Sequence, residues 1–333
     1  MRRLLGAAFG GIAALRAEAY GRGLLRRQRL AGPVVSVGNL GVGGSGKTPV
    51  VARIADMLMA AGEAVSVLSR GYGGSFAGDA LIVSDGARVF ATASVAGDEP
   101  VMLARALPGA VVAIGPLRDV VGRAVEARFG RRVHVLDDGF QHLRLERDLD
   151  LVCLDVRDLE DRPLPAGRLR EKPKALARAD CILLTRLEAA SEAELAALEA
   201  RLGPARTFRV ERRLAEWRAL DGSVAEAPAR AFLLAGIARP ERFERDVVGS
   251  GVQVVGRAFF RDHHRFRAAE LEAAAAQARA GGAFALVTTA KDAVRLEGLP
   301  PLELPVVVLH VEARIADEAR LRERLLAAVR RAA

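Results

Sequence analysis

Cysteine is scarce in this sequence, which has two residues of this type, Cys153 and Cys181, among 333. Both lie in apolar runs, "LVCLDV" and "ADCILLT", that are typical of buried strands. A disulfide framework or a cysteine-based metal site needs more cysteines at characteristic spacings, so we interpret both as buried, reduced thiols. Repeats and low-complexity tracts are also absent, and 51% of the residues are hydrophobic, which excludes a disordered chain.

The sequence also has no apolar run of the roughly 20 residues that a membrane-spanning helix needs. The nearest, "MRRLLGAAFGGIAAL", resembles a signal peptide, but Arg16 directly after it argues against that interpretation. Seven arginines against one glutamate give the first thirty residues +6 of the net charge of +9. We predict that residues 1–30 contain a basic amphipathic helix that lies in the interface of an anionic membrane. Its apolar residues at helical spacing are Leu4, Leu5, Ala8, Phe9, Ile12 and Leu15.

Two alternatives for this segment are a first helix that packs on the core and a nucleic-acid-binding arm. The first stays open on the sequence alone. The second is not favoured, because aromatic residues make up 5% of the chain, few lie near these arginines, and the rest of the chain is nearly neutral. We therefore predict no nucleic-acid partner.

From residue 33 onward, short apolar runs alternate with helix-length segments, as in "PVVSVGN", "AVSVLS", "AVVAIG", "RVHVLDD", "DLVCLD" and "CILLTR". This rhythm predicts an α/β fold, with a P-loop NTPase-like parallel sheet flanked by helices. We assign residues 31–205 to this core, 206–225 to a short β linker and 226–333 to a second, smaller α/β domain. Within the core, "ALIVSDGARVFATA" predicts a hairpin that turns at Asp85-Gly86.

The stretch "GVGGSGKT", residues 41–48, fits both a dinucleotide-binding turn and the phosphate loop of a nucleoside triphosphate enzyme. Both need a strand before the glycines and a helix after them, so the residues that follow decide. Lys47 supplies an ammonium for the β- and γ-phosphates, and Thr48 offers a hydroxyl to Mg²⁺ at a helix N-terminus. We therefore predict an ATP-binding loop made of Gly41, Gly43, Gly44, Ser45, Gly46, Lys47 and Thr48.

Two other nucleotide-binding classes remain as alternatives. A dinucleotide enzyme would carry an acidic residue at the end of its second strand, where this chain has Arg70; arginine accepts a 2'-phosphate, which keeps an NADP oxidoreductase open. A GTPase would carry N-K-x-D, which neither Thr185-Arg186 nor residues 289–292 match. ATP is the better interpretation.

Acidic residues after apolar strands are the candidates for a metal site. "VHVLDDGFQH" places Asp137 and Asp138 in a turn before Gly139, with Asp155 as a competitor. Which of the paired carboxylates is the main ligand stays open. "AGDEP" places Asp98 and Glu99 at the start of a helix, where Asp is also a common helix cap.

Two polar loops remain. "FFRDHHRF" contains His263 and His264; adjacent histidines point in different directions, so we expect one in a site and the other exposed. Zinc is not favoured, because no His or Cys partners stand at ligand spacing. "LPAGRLREKP" holds Arg168, Arg170, Glu171 and Lys172, which suits either a phosphorylated substrate or a solvated basic loop.

Taken in order, these motifs resemble the tetraacyldisaccharide 4'-kinase family of lipid A biosynthesis, from the first helix to near residue 297. "DDGFQH" and "LPAGRLRE" in one chain are the specific part of the match. Two departures, Ala290 within "TAKD" and Arg168 at a position where proline is common, bear on substrate detail more than on reaction type. The other matching stretches are "SVGNLGVGGSGKTP", "SRGYGG", "AGDEP", "AGIARPERF", "DHH" and "TTAKDAVRL".

The resemblance implies a phosphotransferase at the cytoplasmic face of the Gram-negative inner membrane, docked through its N-terminal helix. It would move the γ-phosphate of ATP, with Mg²⁺, to the 4'-hydroxyl of an acylated glucosamine disaccharide 1-phosphate and give lipid IVA. The implied base is Asp98, tuned by His263, with Lys47 on the phosphates. Because Asp98 and His263 belong to different domains, closure around ATP is expected to assemble the site. The implied Mg²⁺ ligands are Thr48, Asp138 and Glu99, and the implied substrate residues are Arg70, Gln141, His142, Arg170 and Glu171.

Overall fold

The structure is a computed structural model that describes residues 2–43 and 46–332, with the backbone alone at residues 2–4 and 7. The strands are β1 (Val34–Asn39), β2 (Val65–Ser69), β3 (Leu81–Ser84), β4 (Val111–Ile114), β5 (Val133–Asp137), β6 (Leu149–Asp155), β7 (Cys181–Thr185), β8 (Thr207–Ala219), β9 (Val224–Ala225), β10 (Arg230–Ala235), β11 (Gln253–Phe259), β12 (Ala285–Thr289) and β13 (Val306–Ile315). The α-helices are α1 (Arg2–Gly21), α2 (Lys47–Met59), α3 (Ala93–Ala96), α4 (Asp98–Ala106), α5 (Arg118–Phe129), α6 (Glu192–Leu202), α7 (Pro240–Gly249), α8 (Ala268–Ala280), α9 (Ala290–Ala293) and α10 (Glu318–Arg331).

The strands form one sheet in the order β11-β10-β12-β13-β8-β7-β6-β1-β5-β2-β4-β3, with β9 paired to β8. Neighbours are parallel except at β3–β4, β8–β9 and β8–β13. Every residue of β1, β5, β6 and β7 is buried, as expected for parallel strands covered by helices on both faces. The predicted α/β fold with a mostly parallel, helix-flanked sheet is confirmed.

Strand β8 is long and belongs to both parts of the sheet. It pairs in parallel with β7 through Thr207 to Arg209 and antiparallel with β13 along most of its length. Its hairpin partner β9 follows the turn at Asp221-Gly222. The division into a core, a linker and a second domain stays a prediction; below, residues before β8 are called the first block and residues from β10 onward the second block.

One local prediction was wrong in part. The chain turns at Asp85-Gly86 as predicted, and the amides of Asp85 and Phe90 donate across the turn to the carbonyls of Arg88 and Val83 over 3.3 and 2.8 Å. The second arm is shorter than expected, because only an isolated bridge from Ser84 to Val89 represents it, and β3 pairs antiparallel with β4 as well. The interpretation of the cysteines is confirmed: Cys153 in β6 and Cys181 in β7 are free and fully buried.

Candidate active site

The candidate site lies at the carboxyl edge of the sheet, where ligands of open parallel sheets bind. Strands β1, β5 and β2 are consecutive neighbours and end there at Asn39, Asp137 and Ser69. The turn after β2 also packs on the start of α4, where a Cβ on Gly97 would lie 2.4 Å from the carbonyl oxygen of Tyr72. The phosphate loop, the acidic turn and the start of α4 are therefore brought to one edge.

The phosphate loop joins β1 to α2 as predicted. Gly43 and Gly46 have positive φ angles of 100° and 75°, which a residue with a side chain adopts at a cost. Gly44 and Ser45 lie outside the described residues. Lys47 begins α2 and donates to Asn39 Oδ1 over 2.9 Å and to Asp138 Oδ1. Thr48 follows in the first helical turn, so the ammonium and the hydroxyl stand at a helix N-terminus.

The two carboxylates of the acidic turn differ in surroundings. Asp137 is buried and accepts a hydrogen bond of 2.8 Å from Ser69 Oγ, and burial raises its pKa although Lys47 opposes this. Asp138 is partly exposed, with φ at 55°, and is paired with Lys47 and Arg170. Burial acts to raise the pKa of Asp138, but these two cations outweigh it and lower the pKa to about 2. Asp138 is therefore the charged oxygen donor that faces the loop.

The "LPAGRLRE" loop contributes a hydrogen-bonded network behind this pair. Arg170 Nη1 donates to Asp138 Oδ2 over 2.6 Å and to Gln141 Oε1 over 3.4 Å. Gln141 donates to Glu171 Oε1 over 3.1 Å, and Glu171 is itself buried against Arg178. Arg170 thus contacts the acidic turn directly, whereas Glu171 is linked to Arg170 through Gln141.

The remaining predicted substrate residues are placed differently. Arg70 is exposed just beyond β2. His142 has a buried Nε2 with no hydrogen-bond partner in the part of the chain described, and burial together with the charge of Arg118 lowers its pKa to about 4. The imidazole of His142, which lies behind the acidic turn, is therefore neutral at physiological pH.

The second polar cluster joins the two blocks. His263, from the loop after β11, places Nδ1 2.8 Å from Asp98 Oδ2 at the start of α4. The φ angle of His263 is 60°, a strained value for a residue with a side chain. Gly97, with no side-chain cap, is the N-cap of α4, so Asp98 is not the helix cap of the alternative interpretation. The structure already holds the predicted base and imidazole in contact.

His264 points away from Asp98, as expected for adjacent histidines, but the expectation that it is exposed was wrong. Its ring stacks on Phe260 at 4.4 Å between centroids, and its Nε2 lies 2.9 Å from Glu270 Oε2. An aromatic partner and a carboxylate within reach hold the side chain against the second block. His263 is therefore the histidine that faces the site.

Glu99 and Lys291 extend this cluster. Lys291 Nζ lies 3.1 Å from Glu99 Oε1 and 3.2 Å from His263 Nε2. Glu99 is thus paired with a cation of the second block, next to the contact between Asp98 and His263. An acid, an imidazole and an ammonium from separate parts of the chain meet at one point, which suits proton transfer.

Some residues at the site gave no usable sequence signal. Asn39 supports Lys47 from the end of β1, and Arg118, buried at the start of α5, donates to the carbonyl of Asp137 over 3.5 Å. Arg295 donates to Asp98 from beyond α9. The clue available for Asn39 was its position at the end of a buried strand. Arg118 and Arg295 could not be distinguished from the many other arginines in the chain.

Helix α1 carries an exposed apolar face. Phe9, Ile12 and Leu15 are 43%, 68% and 68% exposed, so the core-packing alternative is wrong for this face. The side chain of Leu4 lies outside the description. The opposite side of α1 approaches the "LPAGRLRE" loop at Gly6 and Gly10, and Arg16 donates to the carbonyl of Gln141 over 3.1 Å. In the described residues, we find no helix that is both long and apolar enough to cross a bilayer.

Together, the phosphate loop with its lysine, the ionised aspartate opposite it and the adjacent acid–imidazole pair define a P-loop phosphotransferase. The chain belongs to the tetraacyldisaccharide-1-P 4'-kinase (LpxK) family, whose model it matches over residues 2–330. The GTPase and NADP oxidoreductase alternatives are therefore not favoured.

Curated relatives carry the name tetraacyldisaccharide 4'-kinase. The protein of Anaeromyxobacter dehalogenans (strain 2CP-C) is 46% identical over 302 residues, covering 87% of this chain and 79% of the relative. That of Geobacter sulfurreducens is 41% identical over 336 residues, covering 96% and 92%. Among solved structures, LpxK from Aquifex aeolicus in complex with ATP has a TM-score of 0.80 at 30% identity, with 98% of this chain and 97% of that chain covered.

Proposed function

We propose that this protein transfers the γ-phosphate of ATP to the 4'-hydroxyl of tetraacyldisaccharide 1-phosphate, which gives lipid IVA. The observation that carries the proposal is that a phosphate-binding lysine and an acid–imidazole pair converge on one sheet edge. Family membership and an ATP-containing structural relative support the choice of substrates.

In the proposed mechanism, Asp98 accepts the proton of the 4'-hydroxyl as its oxygen forms a bond to the γ-phosphorus. The bond from that phosphorus to the β,γ-bridging oxygen breaks, and ADP leaves with the electron pair. Lys47 neutralises charge on the β- and γ-phosphates, and Arg170 is placed to share that role. His263, in contact with Asp98, stabilises the proton once it has been transferred.

Asp98 is suited to act as a base because it is ionised at neutral pH. Burial acts to raise its pKa, but the hydrogen bonds from Arg295 and His263 and the charge of Lys291 outweigh burial and hold the pKa below its ordinary value of 3.8. The carboxylate is therefore available over the whole physiological range.

The residues present also fit Mg²⁺, which is bound by few protein ligands together with phosphate oxygens and water. The carboxylate of Asp138, with its pKa of about 2, and the hydroxyl of Thr48 are hard oxygen donors at the loop. Glu99 is a further candidate that would have to release Lys291. The described residues contain no cluster of three metal-ligating side chains, as expected for an ion shared with phosphates. The ion would neutralise phosphate charge.

The same geometry supports Arg70, Gln141, His142, Arg170 and Glu171 unequally as substrate residues. Arg170 and the exposed Arg70 are the proposed direct contacts. Gln141, Glu171 and His142 are proposed to shape the site from behind, because their polar groups are engaged or buried.

The activity is tested by incubating the protein with ATP, Mg²⁺ and the monophosphorylated disaccharide lipid, followed by mass spectrometry. The expected product carries one added phosphate on the non-reducing sugar. Parallel reactions with GTP, and with NADP in place of a triphosphate, separate the alternatives. Preference for GTP with lipid-independent hydrolysis, or a nicotinamide-dependent absorbance change, would reject the kinase assignment.

We further propose that α1 docks on anionic lipid at the cytoplasmic face of the inner membrane. Its exposed apolar face and the arginines around it match an interfacial helix, and burying one such side chain contributes about 1.5–3 kcal/mol. Ile12→Asp with Leu15→Asp should weaken co-sedimentation with phosphatidylglycerol vesicles by about tenfold or more. Val224→Asp, which charges an 81% exposed apolar residue elsewhere, is the matched control. Equal binding by both variants would argue against docking through α1.

A further inference from the structure

The buried guanidinium of Arg295 contacts Asp98, and its part in the proposed mechanism so far is only to help keep that carboxylate ionised. Its side chain is 5% exposed. Nη2 donates to Asp98 Oδ2 over 2.5 Å, and Nη1 donates to Asp292 Oδ1 and to the carbonyl of Gly236 over 2.8 and 2.7 Å. A side chain of the second block thus reaches a carboxylate of the first block with three acceptors fixed around it.

The two groups of the second block that bind Arg295, the carboxylate of Asp292 and the carbonyl of Gly236, are themselves held in place. Asp292 is fully buried and accepts hydrogen bonds from Thr289 Oγ1 over 2.8 Å and from the amide of Gly236 over 3.1 Å. A Cβ on Gly236 would approach the β-carbon of His264 to 3.1 Å and Asp292 Oδ1 to 3.3 Å, so a larger residue would fit there only if these neighbours moved by a few tenths of an ångström. Arg295 is therefore held by its own block whether or not Asp98 is present.

The carbonyl of Gly236 connects both partners of Asp98. It accepts Nη1 of Arg295 and also the amide of His263 over 3.1 Å. The two donors to Asp98 are thus tied to one backbone atom, and both reach the same oxygen, Oδ2. In the described part of the chain, the side-chain hydrogen bonds that Asp98 accepts all end on Oδ2, and none is found on Oδ1.

We propose that Arg295 is a positioning residue for catalysis: by holding Oδ2 of Asp98 together with His263, it presents Oδ1 to the acceptor hydroxyl. The inference rests on the proposed role of Asp98 as the base. It assigns to the second block a fixed pair of donors, one imidazole and one guanidinium, that orients a carboxylate of the first block.

A purely structural ion pair is the alternative, and the chain offers a matched control for it. Arg105 on α4 pairs with Glu297 over 2.6 Å, so this pair also joins the two blocks, but it does not touch Asp98. Arg105→Ala removes one cation between the blocks and leaves Oδ2 of Asp98 with both donors.

The experiment measures kcat and KM, for the lipid and for ATP, in Arg295→Met, Arg295→Lys and Arg105→Ala. In Arg295→Met we expect kcat to fall about tenfold or more with little change in either KM, because the proton acceptor loses its orientation while the binding groups remain. A purely structural ion pair would not produce this selective loss of kcat, and Arg105→Ala should keep a kcat close to that of the wild type.

Arg295→Lys keeps the charge but cannot bridge three acceptors, so kcat should stay reduced in this variant as well. If Arg295→Met does not fold because Asp292 is left buried and unpaired, the pair Arg295→Met with Asp292→Asn replaces it. Wild-type kcat in either Arg295 variant, a rise in KM in place of the fall in kcat, or an equal fall of kcat in Arg105→Ala would overturn the inference.

Asp98→Asn separates this inference from the proposed function. If Asp98→Asn is inactive and the Arg295 variants keep wild-type kcat, the positioning role alone is wrong. If Asp98→Asn keeps near-normal turnover, the assignment of Asp98 as the base is wrong, and the proposed role of Arg295 is then wrong as well.

Discussion

The two ends of the site are built in different ways. The phosphate end joins Lys47, Asp138 and Arg170, all from the first block, at the ends of adjacent strands and one neighbouring loop. The acid–base end joins Asp98 to His263 and Arg295, which lie 165 and 197 residues further along the chain. The first depends on the geometry of one parallel sheet, whereas the second depends on how two blocks pack. Substitutions at His263 or Arg295 should therefore impair proton transfer while leaving nucleotide binding intact.

The largest effect is expected at the phosphate end. Lys47→Ala removes the point charge for the β- and γ-phosphates, and we expect kcat to fall by about 10²–10³ or more. Asp138 keeps Arg170 as a partner, so the fold should persist. Lys174→Ala, at an exposed lysine, is the control, and kinase assays with circular dichroism measure both. Retained turnover in folded Lys47→Ala would reject the loop as the catalytic phosphate site.

The next largest effect is expected at the acid–base end. Asp98→Ala and His263→Ala should each lower kcat by about 10²–10⁴, the range for acid–base catalysis, with the KM for ATP nearly unchanged. Nucleotide affinity is measured by calorimetry and turnover by mass spectrometry. A large loss of ATP affinity in either variant would contradict the division of the site into two ends.

A smaller effect is expected on the free energy of unfolding, which should depend on whether a buried polar side chain is hydrogen-bonded. Asn39 is buried and binds both Lys47 and the carbonyl of Gly41, so Asn39→Ala should lower the free energy of unfolding by about 1–3 kcal/mol. Thr185, at the end of β7, has a buried hydroxyl with no partner among the described residues. Thr185→Val should change stability by less than about 0.5 kcal/mol. Urea denaturation measures both, and equal losses would contradict this distinction.

The smallest effect concerns pH. His142 is buried with a pKa of about 4, against an ordinary 6.5, so the unfolded chain binds more protons between these values. Stability should therefore fall as pH drops through that window, with at most about 1.4 kcal/mol per pH unit from one group. His142→Gln should flatten this dependence in urea titrations. His310→Gln, at a second histidine whose pKa burial lowers, should do the same. An unchanged slope in both would show that these imidazoles are not held neutral.

The contrast between the two ends also explains what could be predicted from the sequence. The phosphate loop and the acidic turn are contiguous motifs at strand ends, so spacing alone predicted Lys47 and the pair Asp137 and Asp138, without deciding between the two carboxylates. Asp98 and His263 were assigned through a family resemblance, because no local pattern links residues so far apart. Arg295 carried no signal, since the chain has many arginines and its role depends on the packing of α4 against α9. The expectation that His264 is exposed was wrong because its ring stacks on Phe260, and the sequence alone does not show that these two side chains are in contact.

Helix α10, near the end of the chain, packs against α2, the helix that follows the phosphate loop. Leu321, Leu325 and Val329 of α10 lie in the same apolar cluster as Val50 and Ile54 of α2, and Arg53 Nε donates to Glu318 over 2.9 Å. The C-terminus thus completes the interior that supports the phosphate loop. A protein cut after residue 205 would lose α10 and expose that interior, so we expect it to bind ATP more weakly than the full chain does. Any relative motion of the blocks must bend a shared sheet, which favours small displacements over wide swings.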